Sequence, residues 1–184
     1  MIPTLPLRLR NRLAETILAA RHDAVARDAL AALGTAGGAG TWLARDETRW
    51  EPLLSERARR ALAALAARPP RAATADLAAA LDDAAALFDA GLHFEVHEIL
   101  EPHWARSEGE AREALQGLIQ AAVGLQHLAN GNLGGARSLL LDAAGRLHGR
   151  RLLGRDLDAL ARAAGDAAAR IERGEPVTAP AFPR

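Results

Sequence analysis

Between Phe94 and Trp104 the chain sets three carboxylates (Glu95, Glu98, Glu101) and two imidazoles (His97, His103) among bulky apolar residues. Carboxylate and imidazole together are the side chains that hold a divalent cation or move a proton in general acid–base chemistry. At roughly 100° per residue, a helix would gather Phe94, His97, Glu98, Glu101 and Trp104 into a sector of about 120°, with Val96, Ile99 and Leu100 on the other side. Both sides read as buried, which places the ionisable groups at a core edge or in a cleft. Pro102 has no N–H to bond the carbonyl of Glu98, so the helix is expected to kink or end there.

A second polar stripe follows. Gln116, Gln120 and His127 share a sector of about 40° on a helix otherwise built from Leu115, Leu118, Ile119, Val123, Leu125 and Leu128. A buried amide or imidazole without a partner costs about 1–3 kcal/mol. The economical arrangement sets His97, Glu98 and Glu101 opposite Gln116, Gln120 and His127 across a helix pair. Three readings are compatible with that meeting: a hydrogen-bonded network fixing helix register, a divalent-metal or small-ligand site of the kind bundle cores host, and a groove for a partner. Of the metal reading, His97, Glu98, Glu101 and His127 are the candidate ligands; Glu98, Glu101 and His97 are the catalytic candidates; and Glu95, Trp104, Gln116 and Gln120 line the site or join the network.

Spacing does not single out one chemistry. His97-Glu98-Ile99-Leu100-Glu101 matches only the first half of the zincin His-Glu-x-x-His, and the di-iron Glu-x-x-His is absent from this helix. His93 and His97 with Glu101 would make a two-His, one-carboxylate set, but His93 follows Gly91 so closely that it reads as a capping or surface residue. Elsewhere, Arg146, His148, Arg150, Arg151 and Arg155 read as a solvated helix junction balanced by Asp. The run Gly34 to Gly40 lacks the Lys and the spacing of a phosphate loop, and Ser55, Ser107 and Ser138 have no activating motif nearby.

The elements that must position these groups read as helices. The first long helix is expected from about Leu7 to Leu33, stopped by Gly34, and a second from Pro52 to Ala67, closed by Pro69-Pro70. Thr74 or Asp76 can cap a third that stops at Gly91, and the Phe94–Trp104 helix follows after a very short turn. Glu110 to about Asn130, Leu133 to about Leu147 and Asp156 to Glu172 complete the set, and no segment alternates as a strand. The expected fold is an all-α bundle of six to seven helices around a core of four to five. Residues 1–70 read as an N-terminal helical extension, 71–173 as the bundle core and 174–184, with three prolines, as a tail.

Composition narrows the function. The 23 basic residues are all Arg and balance 23 acidic ones, which gives no global case for nucleic acid or an anionic membrane. Aromatics are 3% of the chain, so Trp42, Trp50, Phe88, Phe94 and Trp104 are the landmarks of a core otherwise made of Leu, Ala, Ile and Val. With no cysteine, any metal must sit on His, Asp, Glu or amide oxygens. The N-terminus has no signal-peptide pattern and no stretch is long and apolar enough to span a bilayer, so a soluble cytoplasmic protein is expected, for which a second copy or a protein partner is compatible.

Phe88-Asp89-Ala90-Gly91 with Val96, Ile99 and Leu100 is echoed at constant offset by Leu128-Ala129-Asn130-Gly131 with Ala136, Leu139 and Leu140. That grammar is shared with tetratricopeptide units, which makes a non-catalytic binding scaffold the rival to an enzyme, although such arrays need about three units to bury a continuous core. The run Gly91 through Trp104, followed by Leu115-Gln116-Gly117-Leu118-Ile119-Gln120 and His127 through Asn132, resembles the small helical prokaryotic domain-of-unknown-function family 309. Its signature joins an aromatic-Glu-x-His-Glu-x-Leu-Glu-x-x-Trp helix to a Leu-Gln-Gly helix, here over roughly Asp76 to Leu147. The resemblance implies an all-α bundle and, through a loose label on some members, a metal-dependent hydrolase. It carries over Glu95, His97, Glu98, Glu101, Trp104, Gln116, Gly117, Gln120 and His127, and gives no role to His93 or His103.

Overall fold

The structure, a computed structural model, describes residues 4–73 and 76–184. These fall into two compact units, one within 3–74 and the other within 75–184. Among the described residues are eight α-helices and one two-stranded antiparallel ribbon, an all-α architecture.

The N-terminal unit contains α1 (Leu7–Ala19), α2 (Ala24–Gly34), a 3₁₀ turn at Arg45–Trp50 and α3 (Glu51–Leu65). The single helix expected over Leu7–Leu33 is therefore two. Asp23 takes an extended conformation and its carboxylate accepts the Val25 N–H at 2.8 Å, so a capped start falls in the middle of an unbroken helical pattern. Arg27 then holds the break: its guanidinium donates to the carbonyls of Ala20 at 2.8 Å and Leu65 at 3.1 Å, and to that of Arg68, satisfying the open ends of α1 and α3 at once. Leu9, Leu13, Ile17, Leu30, Leu33, Leu54 and Leu65 form the buried interior.

The larger unit contains α4 (Leu77–Asp89), α5 (His93–Arg106), α6 (Gly109–Ala129), α7 (Leu133–Leu147), the ribbon β1 (Arg151–Leu152) and β2 (Arg155–Asp156), and α8 (Asp158–Glu172). Asp76 caps α4 by accepting the Ala78 N–H at 3.0 Å; Thr74 lies outside the described residues. The two echoed sequences form the same turn. After α4, Gly91 at φ 71° lets the Leu92 N–H reach the Leu87 carbonyl at 2.9 Å, and after α6, Gly131 at φ 76° lets the Asn132 N–H reach the His127 carbonyl at 2.9 Å. Each is a left-handed helix stop that reverses the chain into the next helix. The echo is thus two successive helical hairpins, α4–α5 and α6–α7.

Helix α6 packs against both α5 and α7. A Cβ at Gly117 would lie 2.8 Å from two side-chain atoms of Leu147, and one at Gly124 would lie 2.9 Å from Leu140. Seven residues apart, the two glycines occupy one seam of α6, where the leucines of α7 rest on bare backbone. The resemblance placed Gly117 in its signature without a reason; this packing supplies one.

The segment beyond α8 is not a loose tail. Phe182, only 3% exposed, sets its ring edge-on to Phe88 at 5.3 Å, and its N–H donates to Asp89 at 2.9 Å. Arg184 pairs with the same Asp89, while Arg155 donates to the Pro183 carbonyl at 3.0 Å and pairs with Asp82. Phe182 therefore joins the core, a role the prolines around it concealed.

The glycine seam makes a paired forecast. Gly117→Val forces the α6–α7 contact apart and should cost about 2–3 kcal/mol by overpacking. Gly145→Ala, on an exposed position of α7 with nothing within 4 Å of the new Cβ, should gain about 0.5–1 kcal/mol from helix propensity. Urea denaturation of both variants checks the pair.

Candidate functional site

Helix α5 continues through Pro102 to Arg106, so it does not end there. Its burial divides the signature residues into two sets. His93, Glu95, Val96, Ile99 and Leu100 face inward, with Glu95 1% and His93 6% exposed. Phe94, His97 and Glu98 are half-buried, and Glu101 is exposed. The polar stripe thus lies along the rim of α5, not between two buried faces, and its chemistry is open to solvent. His93, expected at the surface, instead begins α5 inside the core with its ring edge-on to Phe88 at 5.1 Å.

The rim residues meet one another. His97 Nδ1 lies 3.0 Å from Glu98 Oε1, and His97 Nε2 lies 3.7 Å from Glu101 Oε2. One ligand atom each from His97, Glu98 and Glu101 fit within 4.8 Å of one another, the one His/Asp/Glu group of this kind among the described residues. A neutral imidazole has a single N–H. It can donate to one of these carboxylates, while its other nitrogen presents a lone pair to the second, an arrangement that a shared cation would relieve. Phe94, with its ring centre 6.3 Å from that of His97, forms the apolar edge of the cluster.

The remaining signature residues have other attachments. His127 Nδ1 accepts from the Asn132 amide at 2.7 Å, and Asn132 in turn accepts the Gly135 N–H at 3.0 Å. A Cβ at Gly135 would come within 3.0 Å of His127 Nδ1, so the contact also depends on that glycine. Helices α5 and α6 pack together across a two-residue link, which makes them antiparallel neighbours and sets His97 level with Leu118. Gln116 and Gln120 fall within a turn of that level, whereas His127 lies about 13 Å further along the axis on helical rise. His127 therefore ties the α6–α7 turn and is not among the three clustered ligands.

Trp104 lies beneath the Arg112 guanidinium, 4.0 Å from its ring centre, and Arg112 donates to the Trp104 carbonyl at 3.0 Å, closing the C-terminus of α5. Gln120 Oε1 and Trp104 Nε1 are buried without a hydrogen-bond partner among the described residues; Gln116 is half-buried. The basic cluster after α7 is neutralised locally: Arg146 pairs with Glu113, His148 lies 3.4 Å from Asp158 and Arg155 pairs with Asp82. One buried acid escaped the sequence reading. Asp83, 1% exposed, occupies a core position of α4, where helical spacing from the buried Ala80 and Leu87 marks an inward face.

The fold and the rim define a class: an all-α bundle of paired helical hairpins carrying a compact His/Glu cluster on one helix. Residues 81–139, from α4 into α7, match the model of the family described as Domain of unknown function (DUF309). No curated protein and no solved structure matches the chain. No helix among the described residues is long and apolar enough to cross a membrane.

The attachment of His127 gives a direct forecast. His127→Ala should lower stability by about 1 kcal/mol and Asn132→Ala by about 1–2 kcal/mol, since the latter also removes the α7 cap, and the double variant should cost little more than Asn132→Ala alone because the His127 contact is already lost. A double-mutant cycle by thermal denaturation measures that coupling.

Proposed function

We propose that His97, Glu98 and Glu101 bind a divalent cation on the rim of α5. The observation that carries this reading is the convergence of three ligand atoms within 4.8 Å on a partly exposed surface, with a half-buried imidazole between two carboxylates. The donor set suits such an ion: nitrogen and oxygen ligands without thiolate, on one helical face, with the exposed Glu101 carboxylate able to close in. When bound, the ion would supply Lewis-acid polarisation of a substrate bond, the chemistry of metal-assisted hydrolysis. His97 is held by its position between Glu98 and Glu101, and Phe94 shields one edge from water. The second oxygen of either liganding carboxylate would accept a proton from water on the solvent side. Gln116 and Gln120, within a turn of the level of His97 on the neighbouring α6, would orient a substrate. The setting proposed for this activity is the cytoplasm.

A non-catalytic scaffold is the second reading, favoured by the two consecutive hairpins with identical left-handed glycine turns. In that case the cluster is a local hydrogen-bond network and α4–α7 present a surface to a protein partner.

Elemental analysis separates the two. Protein purified without a chelating tag should carry about one equivalent of a divalent transition metal, and a Glu98→Ala/Glu101→Ala variant should carry none while melting within a few degrees of the parent. Metal-free parent protein that gains no thermal stability from added zinc or manganese would leave the scaffold reading in place.

A further inference from the structure

Within the N-terminal unit, the Gly34–Gly37 loop and one face of α3 enclose an open cavity of about 460 Å³, lined by Gly34, Thr35, Thr48, Glu51, Ser55 and Arg59 among others. That volume is in the range of small-molecule sites. Glu51, Ser55 and Arg59 are spaced i, i+4 and i+8, so an acid, a hydroxyl and a guanidinium line up along a single face of α3. Ser55 is 8% exposed and faces the cavity, yet its hydroxyl has no hydrogen-bond partner among the described residues. Arg59 has no ion pair or hydrogen bond among the described residues either, although most arginines of the chain are engaged. Its stem is held over Gly34, where a Cβ would lie 3.0 Å from Arg59 Cγ. Glu51 uses one oxygen to accept the Gly37 N–H at 3.1 Å and keeps acceptor capacity on the other.

The Ser55 hydroxyl opens onto the cavity and, like the Arg59 guanidinium, is uncommitted to any neighbour among the described residues, so both can engage a ligand. From this arrangement we infer that the cavity binds a small linear zwitterion, of di- or tripeptide size. Its carboxylate lies against Arg59 and Ser55, and its ammonium against Glu51. The charged residues are two turns apart, about 12 Å between their Cα atoms, and the long Arg and Glu side chains can lean inward to meet a ligand shorter than that. A single amino acid is too short to reach both ends, and a simple anion leaves Glu51 unused. The site lies outside the DUF309 segment and is independent of the cation proposed on α5.

Isothermal titration of the full chain with glycine, diglycine, triglycine and acetate tests this. Diglycine or triglycine should bind, with glycine and acetate at least about tenfold weaker. Arg59→Gln should weaken the peptide about tenfold or more at unchanged melting temperature, since Arg59 is exposed and makes no bond to lose. Ser55→Ala, which removes one oxygen and adds no volume, should weaken it several-fold and serves if Arg59→Gln fails to fold. No binding by either peptide, equal binding of acetate, or peptide affinity indifferent to both substitutions would overturn the proposal.

Discussion

The larger unit depends on how closely α7 can approach α6. At Gly117 and Gly124 the leucines of α7 rest where side chains of α6 would otherwise stand, so the two helices share a seam with almost no intervening atoms. Dispersion and burial both favour such an approach, and neither tolerates an added methyl group without displacement. Helix α6 is thereby fixed along nearly its whole length, with Ala114, Leu115, Leu118, Ala121, Ala122 and Leu125 buried. It becomes the rigid element against which α5 is set. The cation site proposed on α5 would need that support, because its ligands would converge only if the helix beneath them does not move.

The DUF309 signature then divides by physical role. Gly117 permits the seam, Gly91 and Gly131 reverse the chain, and the His127–Asn132 pair and the Arg112–Trp104 contact close helix ends. Glu95 and His93 lie in the core beneath α5, and only His97, Glu98 and Glu101 are left at the rim with ligand atoms facing one another. A short pattern that looks uniformly chemical is mostly architecture. The residues with chemistry to offer are the three that the architecture leaves exposed together.

Much of this was legible from the residues. Periodicity located the helices from α3 to α8 to within a few residues, and the echoed Gly91 and Gly131 marked two equal hairpins because left-handed stops demand glycine. The cap at Asp23 was not legible, since Asp within an apolar helical pattern reads equally as a solvent-facing residue until its backbone is seen to be extended. Phe182 was lost among prolines, where no period exists to show burial. The site was half visible. Spacing brought His97, Glu98 and Glu101 together correctly, but it could not show that Glu95 turns inward or that His127 is occupied by Asn132, because each depends on contacts made by a neighbouring element or turn.

His97 lies between two carboxylates, and the proposed cation would be held by all three groups together. Two-dimensional ¹⁵N–¹H correlation of the histidine side chains during zinc titration reads this most directly. The ring nitrogens of His97 alone should shift strongly and saturate at one equivalent, while those of His127 stay fixed by Asn132. Saturable zinc binding that leaves His97 unmoved, or that moves His127 instead, would contradict it.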